Sequence, residues 1–193
     1  RGLGDVYKRQ PDGYGSSAYC KIVPSGTIPA LVHNGFTLAE SDAIAEYIND
    51  LNPQPAMLPE DIQKRAIARA LSRFHDTRIE PVLRAYFAHV APASRSADFI
   101  AQNATLLQKR FDQFNQMVVP SPLLMGNQLS LADCGFAPSF AILRCLQTLL
   151  GFDFVLPDRL RIYETALVAH PSVCNEYDDY VATLEKLAAA KCS

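Results

Sequence analysis

GTIPALVHNGFTLAESDAIAEYIN, residues 26–49, carries several local signals that agree on one small structure. Two short apolar runs, at 29–32 and 36–38, flank Asn34-Gly35, a dipeptide that tolerates the positive φ angles of a tight hairpin turn. Apolar residues then recur at spacings of three and four from Ile44 to Leu51, which is the period of a helix face. The stretch therefore predicts two antiparallel strands followed by a helix that begins near Ser41.

The start of that helix has the chemistry of a site for a zwitterion. The first turn of a helix exposes backbone N–H groups without intrahelical partners, and the helix dipole favours an anion there. A free carboxylate can bind at Ser41 while Glu40 meets a cation. A purely structural alternative exists for the same run, because Ser before an apolar helix is commonly an N-cap and most X-Pro bonds are trans.

The run resembles the glutathione-binding motif of the cytosolic glutathione transferases, in which a thioredoxin-like domain presents a cis-proline pair and then an acid-serine pair. These elements are Ile28-Pro29 and Glu40-Ser41 in this chain. The resemblance implies that the Ile28 main chain pairs with the cysteinyl part of glutathione, and that Glu40 and Ser41 hold its γ-glutamyl ammonium and carboxylate. Thr27 stands where many members have Lys, Gln or His, so we expect the glycyl carboxylate of glutathione to be held less firmly.

Composition sets limits on the class of protein. The 193 residues have room for two small domains with their own cores, and no apolar run approaches the roughly 20 residues of a membrane span. A net charge of −2 with evenly scattered Lys and Arg provides no basic stripe for nucleic acid or an anionic membrane. Five widely spaced cysteines without a C-x-x-C pair predict free thiols in a reducing compartment, which favours a cytoplasmic protein.

The beginning of the chain departs from the resembled pattern. Residues 1–15 show neither a strand period nor a helix period, and we interpret them as an irregular or foreign leader. Residues 17–23 carry strand-forming side chains and end at a Pro-Ser-Gly turn, which predicts a strand with Cys20 in a structural role. A strand, crossover helix and parallel strand need roughly 30 or more residues, so we expect the first strand and helix to be largely missing before Pro29.

The missing elements leave the catalytic residue unknown. In the family, the tyrosine, serine or cysteine that activates the glutathione thiol lies at the junction of the first strand and first helix. Four residues near the start of this chain are candidates by type only: Tyr7, Tyr14, Ser16 and Ser17.

The rest of the chain predicts a change of domain. Residues 16–52 are interpreted as a partial thioredoxin-like glutathione-binding domain, and the prolines within and next to 53–58 predict a linker. Residues 59–193 then read as an all-helical domain of the glutathione transferase type. Amphipathic patterns predict its helices, the first of them interrupted at Pro81, over 60–90, 97–118, 136–150, 159–169 and 173–190.

GNQLSLAD, residues 126–133, predicts a capping box. Ser130 can accept from the N–H of Asp133, and the Asp133 carboxylate can return a bond to the Ser130 N–H. The pattern resembles the box that starts the buried central helix of the transferase helical domain, where its role is folding. His75-Asp76 and His89 have no third ligand at suitable spacing, so we expect no metal and interpret them as packing or surface residues.

The resemblance implies a glutathione transferase, in which the glutathione thiolate attacks a small apolar electrophile, as in detoxification. Glutathione is then the co-substrate. The electrophile is expected between the domains, a usual place for a pocket, against the helix that carries Phe74, Asp76, Thr77 and Arg78. Members of the family usually pair, so a homodimer is expected.

Two alternatives remain open. Transferase-like domains also serve as non-catalytic protein-interaction modules, and Thr27 with the short N-terminal region is compatible with that class. A glutathione-dependent isomerase or reductase cannot be separated from a conjugating enzyme, because the deciding residue belongs to the missing elements. Retention of Glu40-Ser41 favours an enzyme.

Overall fold

The computed structural model describes residues 5–7 and 15–192. The chain divides into two compact units between Leu58 and Pro59. The described part of the first unit contains a three-stranded sheet with two helices, and that of the second unit contains helices and turns.

The sheet of the first unit is built around the predicted hairpin. Its strands β1 (Asp5–Tyr7), β2 (Ala30–His33) and β3 (Phe36–Ala39) follow in this order, and both pairings are antiparallel. Asn34 and Gly35 have φ angles of 51° and 81°, as a two-residue hairpin turn requires. The hairpin prediction is confirmed.

Strand β1 corrects the interpretation of residues 1–15 as irregular. Asp5–Tyr7 pairs with β2, with Tyr7 opposite Ala30. Three residues are too few to reveal an alternating pattern, and their extended form depends on a partner strand far along the chain. Residues 1–4 and 8–14 of the predicted leader lie outside the described residues.

Residues 17–23, predicted as a strand, form the short helix α1 (Ser17–Cys20) and a following turn. The Ser16 hydroxyl accepts from the Tyr19 N–H at 3.2 Å, and this N-cap favours a helical turn over extended backbone. Tyr19 and Val23 are both buried and lie four residues apart, which is the helical period. Cys20 therefore lies at the end of a helix and not in an edge strand, and its thiol is free.

Helix α2 (Ser41–Leu51) begins at the predicted residue and packs on β2 and β3. Ile44, near the start of the helix, is buried, whereas Leu51 at its end is exposed. Ala39 packs against a small core formed by Tyr19, Val23 and Ala30.

The second unit follows the predicted helical order. Helix α3 (Ile62–Phe74) runs through the π-helical turn His75–Ile79 into α4 (Glu80–Ala85). Two 3₁₀ turns follow, Tyr86–His89 and Pro92–Ser94, and then the helices α5 (Ala97–Met117), α6 (Phe136–Leu150), α7 (Asp158–Val168) and α8 (Cys174–Cys192). None of the helices in the described residues is long and apolar enough to span a membrane.

Pro81 accounts for the π turn between α3 and α4. Proline has no N–H to donate, and its ring clashes with the carbonyl four residues earlier in a regular helix. The preceding Glu80 N–H bonds to the His75 carbonyl, five residues back, so the helix widens by one residue at this point. The predicted interruption is confirmed, and its form is a π turn.

Helix α6 lies in the core of the second unit. Pro138 is tolerated because it lies in the first turn, where backbone N–H groups have no intrahelical partner. Phe136 stacks on Phe114 with 4.6 Å between ring centroids and meets Tyr163 edge-on at 5.9 Å. Gly151, with a φ angle of 67°, ends the helix in the left-handed conformation that favours glycine.

Candidate functional site

The loop before β2 contains a cis peptide bond between Ile28 and Pro29. The hydroxyl of the buried Tyr19 donates to the Thr27 carbonyl at 2.7 Å, and the Thr27 hydroxyl lies 2.8 Å from that of Ser25. These contacts hold the loop in one shape, while the Ile28 side chain stays exposed.

The hairpin brings this loop next to the start of α2. Ala30 pairs with Ala39 at the open end of the hairpin, and paired residues of antiparallel strands have Cα atoms about 4.5–5.5 Å apart. Pro29 and Glu40 are the next residues outward on the two strands, so the cis-proline and the helix start lie side by side. The structure therefore brings the two predicted half-sites to one edge of the N-terminal unit.

Glu40 occupies an unusual backbone conformation at the start of α2. Its φ and ψ angles are 74° and 117°, and positive φ is uncommon for a residue other than glycine. Such strain persists where the surrounding structure imposes it, and it is concentrated at binding sites. Glu40 and the following Ser41 are both exposed. A zwitterion here would place its anion at the free N–H groups of the helix and its ammonium at the Glu40 carboxylate.

The side chains at this helix start do not act as a cap. For comparison, Asp61 is the N-cap of α3, and its carboxylate accepts a hydrogen bond from the Lys64 N–H at 2.8 Å. Glu40 makes no such bond, and neither its carboxylate nor the Ser41 hydroxyl bonds to a residue that the structure describes. The N-cap alternative for Ser41 is therefore wrong. The Ile28 main chain likewise has no hydrogen-bond partner in the described part of the chain, so it is available to a ligand.

The structure assigns none of the four candidate catalytic residues. The Ser16 oxygen accepts from a backbone N–H as the cap of α1, and Ser17 is exposed at the first residue of that helix. Tyr7 lies in β1, but its side chain and the whole of Tyr14 fall outside the described residues.

The residues predicted to contact a second substrate lie at the end of α3 and in the π turn, and they are Phe74, Asp76, Thr77 and Arg78. Phe74 is half-buried and stacks on Phe114 with 5.8 Å between ring centroids. Asp76 accepts from His75 at 2.8 Å and keeps a third of its side chain exposed. The Thr77 hydroxyl donates to a carbonyl one turn earlier, and Arg78 is exposed. Three of the four residues thus share one turn, whereas Phe74 packs against another helix.

A separate open cavity of about 1160 Å³ lies within the second unit, along α5 and the segment that follows α6. Its lining extends from Arg95 to Val155 and includes none of the four residues predicted for the second substrate. Within residues 15–192, no three His, Cys, Asp or Glu side chains are placed so that they could hold a metal ion. Neither feature adds a residue to the candidate site.

Residues 2–51 match the family model of the glutathione S-transferase N-terminal domain. The matched segment contains both half-sites, the cis-proline loop and the acid-serine helix start. Residues 2–51 belong to the glutathione S-transferase family.

Curated relatives of this chain include enzymes of two kinds. Glutathione S-transferase Z2 of Arabidopsis thaliana is 30% identical over 125 residues, which cover 63% of this chain and 56% of the relative. Maleylacetoacetate isomerase of Rattus norvegicus is 28% identical over 126 residues, which cover 65% and 58% of the two chains. The chain therefore spans little more than half the length of these relatives.

Solved transferases share the fold. Human glutathione transferase theta-2, whose structure is a complex with glutathione, has a TM-score of 0.74 at 21% identity, and the likeness covers 93% of this chain and 77% of that one. At this identity the likeness shows the fold alone. The predicted fold class, a thioredoxin-like domain followed by the helical transferase domain, is confirmed.

The helical transferase domain contains a polar network around Asp133, which is fully buried. One carboxylate oxygen accepts from the N–H and the hydroxyl of Ser130 at 2.9 and 2.7 Å, and the other accepts from the Leu124 N–H and the Tyr163 hydroxyl, both at 3.0 Å. Burial, and then the charge of Asp133, hold the pKa of Tyr163 well above its usual value.

This network differs from the predicted capping box in two respects. The bond from the Ser130 N–H to Asp133 is present, but the Ser130 hydroxyl donates to the carboxylate, while its backbone carbonyl accepts from the Asp133 N–H at 3.0 Å. The turn that is closed also precedes α6, which begins three residues after Asp133 at Phe136. Ser130 and Asp133 therefore stabilise the turn that leads into α6, and their role is structural.

Sequence reasoning missed the partners of two buried groups in the transferase helical domain. Ser139 lies 64 positions from His75, which it contacts, and Tyr163 lies 30 positions from Asp133. No local pattern indicates a contact at that distance. The sequence signal for the His75 contact was Gly135, since a glycine next to a helix can mark a place where another group packs closely against the backbone. A Cβ at Gly135 would lie 2.5 Å from the His75 ring.

Proposed function

We propose that the protein is a glutathione transferase that conjugates the glutathione thiolate to a small apolar electrophile. The observation that carries the proposal is the pair of adjacent half-sites, the cis Ile28-Pro29 loop and the uncapped Glu40-Ser41 helix start. The match of residues 2–51 to the transferase N-terminal domain and the shared fold support it.

Each part of the tripeptide has a partner of suitable chemistry. The Ile28 N–H and carbonyl pair with the cysteinyl main chain, as a short antiparallel strand would. The Glu40 carboxylate binds the γ-glutamyl ammonium, and the Ser41 hydroxyl with the first free N–H groups of α2 binds the γ-glutamyl carboxylate, each through charge-assisted bonds. Thr27 offers a neutral hydroxyl to the glycyl end and holds it more weakly than a cation would.

The reaction needs the thiolate form of glutathione, because the thiol is a poor nucleophile. The thiolate sulfur forms a bond to the electrophilic carbon, and a leaving group such as chloride departs with the electron pair. The bound tripeptide places this sulfur beside the cis-proline loop, and the group that lowers its pKa belongs to the part of the site that remains unassigned.

A glutathione-dependent isomerase is the second candidate, and the likeness to maleylacetoacetate isomerase favours it. In that case the thiolate adds to a double bond and leaves again after rotation, so that glutathione is not consumed. Measuring glutathione consumption alongside product formation separates the two activities.

Glutathione-agarose capture followed by a conjugation assay with 1-chloro-2,4-dinitrobenzene tests the proposal. We expect capture of the wild-type protein and at least tenfold weaker binding for Glu40→Gln and for Ser41→Ala, since each removes a charge-assisted contact. Asp50→Asn is the matched control, because it removes a charge from the other end of the same helix. Capture without turnover would indicate a binding protein, and the absence of both would favour the protein-interaction module.

The proposal also implies a cytoplasmic, homodimeric detoxification enzyme. The cysteines at 20, 134, 145 and 174 are free, as is usual in a reducing compartment. Light scattering at micromolar concentration tests the dimer, and a monomer in that range would contradict this part of the proposal.

A further inference from the structure

The hairpin fixes the direction in which a bound tripeptide runs along the cis-proline loop. Pro29 lies beside Glu40 at the open end of the hairpin. A γ-glutamyl group held at the helix start therefore lies on the Pro29 side of Ile28. A ligand main chain that pairs antiparallel with Ile28 then continues away from Pro29, so its C-terminal residue reaches Thr27.

Thr27 offers its side chain, and not its main chain, to that C-terminal residue. Alternate residues of an extended chain direct their main-chain groups to opposite edges. When Ile28 directs its groups to the ligand, those of Thr27 face away from it. The Thr27 carbonyl does so, because it accepts from the hydroxyl of the buried Tyr19 at 2.7 Å. Main-chain recognition of the ligand therefore ends at the cysteinyl residue.

The side chains that face the C-terminal residue are uncharged. The Thr27 hydroxyl lies 2.8 Å from the Ser25 hydroxyl, and both residues are exposed. Lys21, in the turn after α1, is the sole lysine or arginine among residues 5–7 and 15–58. The glycyl carboxylate thus meets two neutral hydroxyls that already bond to each other, in competition with water. Even an exposed ion pair changes an equilibrium by no more than about fivefold, and we expect no more from these hydroxyls.

The γ-glutamyl end, in contrast, is recognised by charge. Its ammonium and carboxylate meet the Glu40 carboxylate and the free N–H groups at the start of α2. γ-Glutamylcysteine keeps both of these groups and the thiol. It also keeps the amide N–H and the carboxyl oxygen that pair with the Ile28 main chain. It lacks only the glycine, whose contacts are the weakest of the set.

We propose that the site recognises the γ-glutamylcysteinyl unit and not the whole tripeptide. Its thiol substrates are γ-glutamylcysteine and the derivatives that extend it at the C-terminus, of which glutathione is one. The inference rests on the proposed function and names the class of thiol that the site takes. Thr27 is the residue that keeps this class broad.

Isothermal titration calorimetry of four thiols with the full chain tests the inference. γ-Glutamylcysteine and glutathione amide, whose glycyl end is neutral, should bind within about fivefold of glutathione. Cysteinylglycine keeps the glycyl carboxylate but lacks the γ-glutamyl group. It should bind at least about a hundredfold more weakly, since two charge-assisted contacts are lost. With 1-chloro-2,4-dinitrobenzene as the electrophile, kcat/KM should follow the same order.

Thr27→Lys adds a cation where the C-terminal residue of the ligand lies. We expect this variant to prefer glutathione over glutathione amide about two- to fivefold more strongly than the wild type does. Thr37→Lys is the matched control, because it makes the same substitution at another exposed threonine of the first unit, in β3. It should leave the ratio of the two dissociation constants unchanged, whereas Glu40→Gln should weaken the binding of both thiols equally.

A wild-type preference for glutathione over γ-glutamylcysteine above about twentyfold overturns the inference, because contacts of this kind do not supply it. A fall in that preference in Lys21→Ala does the same, since it would show that a cation already holds the glycyl carboxylate. Equal effects of Thr27→Lys and Thr37→Lys would show that Thr27 does not face the C-terminal residue, and would also overturn it. Failure of all four thiols to bind would overturn the proposed function, and the inference with it.

Discussion

Replacing Asp133 by alanine removes the acceptor on which the entry to α6 depends. Its carboxylate accepts four hydrogen bonds, from the N–H groups of Leu124 and Ser130 and from the hydroxyls of Ser130 and Tyr163. Each buried donor left without a partner costs about 1–3 kcal/mol, although a hydroxyl can rotate toward another acceptor. We therefore expect Asp133→Ala to lower the free energy of unfolding of the helical unit by about 3–5 kcal/mol, the scale found when a buried charged partner is removed.

Urea unfolding followed by far-UV circular dichroism measures this change, with tyrosine fluorescence as a second probe because the chain has no tryptophan. At about 2–4 °C per kcal/mol for a chain of this size, the midpoint of thermal unfolding should fall by about 6–20 °C. A loss of this size is a large part of the roughly 5–15 kcal/mol by which natural domains are stable, so reduced soluble yield is expected as well.

Two smaller substitutions calibrate the prediction. Tyr163→Phe removes one of the four bonds and should cost about 1–2 kcal/mol. Thr183→Val removes an exposed hydroxyl that donates to a carbonyl of its own helix, and should cost less than about 0.5 kcal/mol. The reasoning is refuted if Asp133→Ala costs no more than Tyr163→Phe, or less than about 1 kcal/mol.

Three further substitutions have defined outcomes. Gly135→Ala forces a methyl group against the His75 ring, and we expect a loss of about 2–3 kcal/mol in urea unfolding. Tyr86 is fully buried and its hydroxyl has no partner among the described residues, so Tyr86→Phe should be neutral or stabilising by up to about 1 kcal/mol. Burial also raises the pKa of Tyr86 to about 12. Because the hydroxyl ionises more easily in the unfolded chain, the folded state should lose up to about 3 kcal/mol of stability as the pH rises from 10 to about 12. Glu40→Gly should relieve backbone strain, leaving the thermal midpoint equal or higher, while glutathione capture is lost.

Each of these outcomes has a control. Leu substituted for His75 together with Gly135→Ala should recover part of the stability lost by the glycine change alone, since the clash is with the ring. A pH titration of Tyr86→Phe should show a smaller loss of stability above pH 10 than the wild-type titration. Glu40→Gln keeps the strained backbone and removes the charge, so a midpoint below that of Glu40→Gly would support the assignment of strain. Equal stability of all three Glu40 proteins would contradict it.

Features that depend on a few neighbouring residues could be predicted from the sequence. Asn34-Gly35 fits the positive φ angles of a hairpin turn, and Pro81 removes a helix N–H, so both irregularities follow from local chemistry. The two errors have a different origin. Asp5–Tyr7 is extended because β2 lies beside it, and residues 17–23 turn into a helix because Tyr19 and Val23 share one buried face. In both cases packing against a distant segment outweighs local propensity.

The same division applies to the candidate site. Each half-site is contiguous, so Ile28-Pro29 and Glu40-Ser41 could be identified from residue type and order, and the hairpin register then explains why they meet. The polar chain from Ser139 to Asp76 joins two helices whose contact no periodicity indicates. The His75-Asp76 pair was visible in the sequence, but the contact of His75 with Ser139 was not.

The tight contact between Gly135 and His75 links two positions that no linear scan would connect. A methyl group at 135 has room only when the ring at 75 is gone, so saturation mutagenesis of position 135 alone should recover little besides glycine. Randomising both together should instead yield compensated pairs, such as a small side chain at 75 with alanine at 135. Any redesign of the packing around the π turn therefore has to treat these two sites as a single unit of variation.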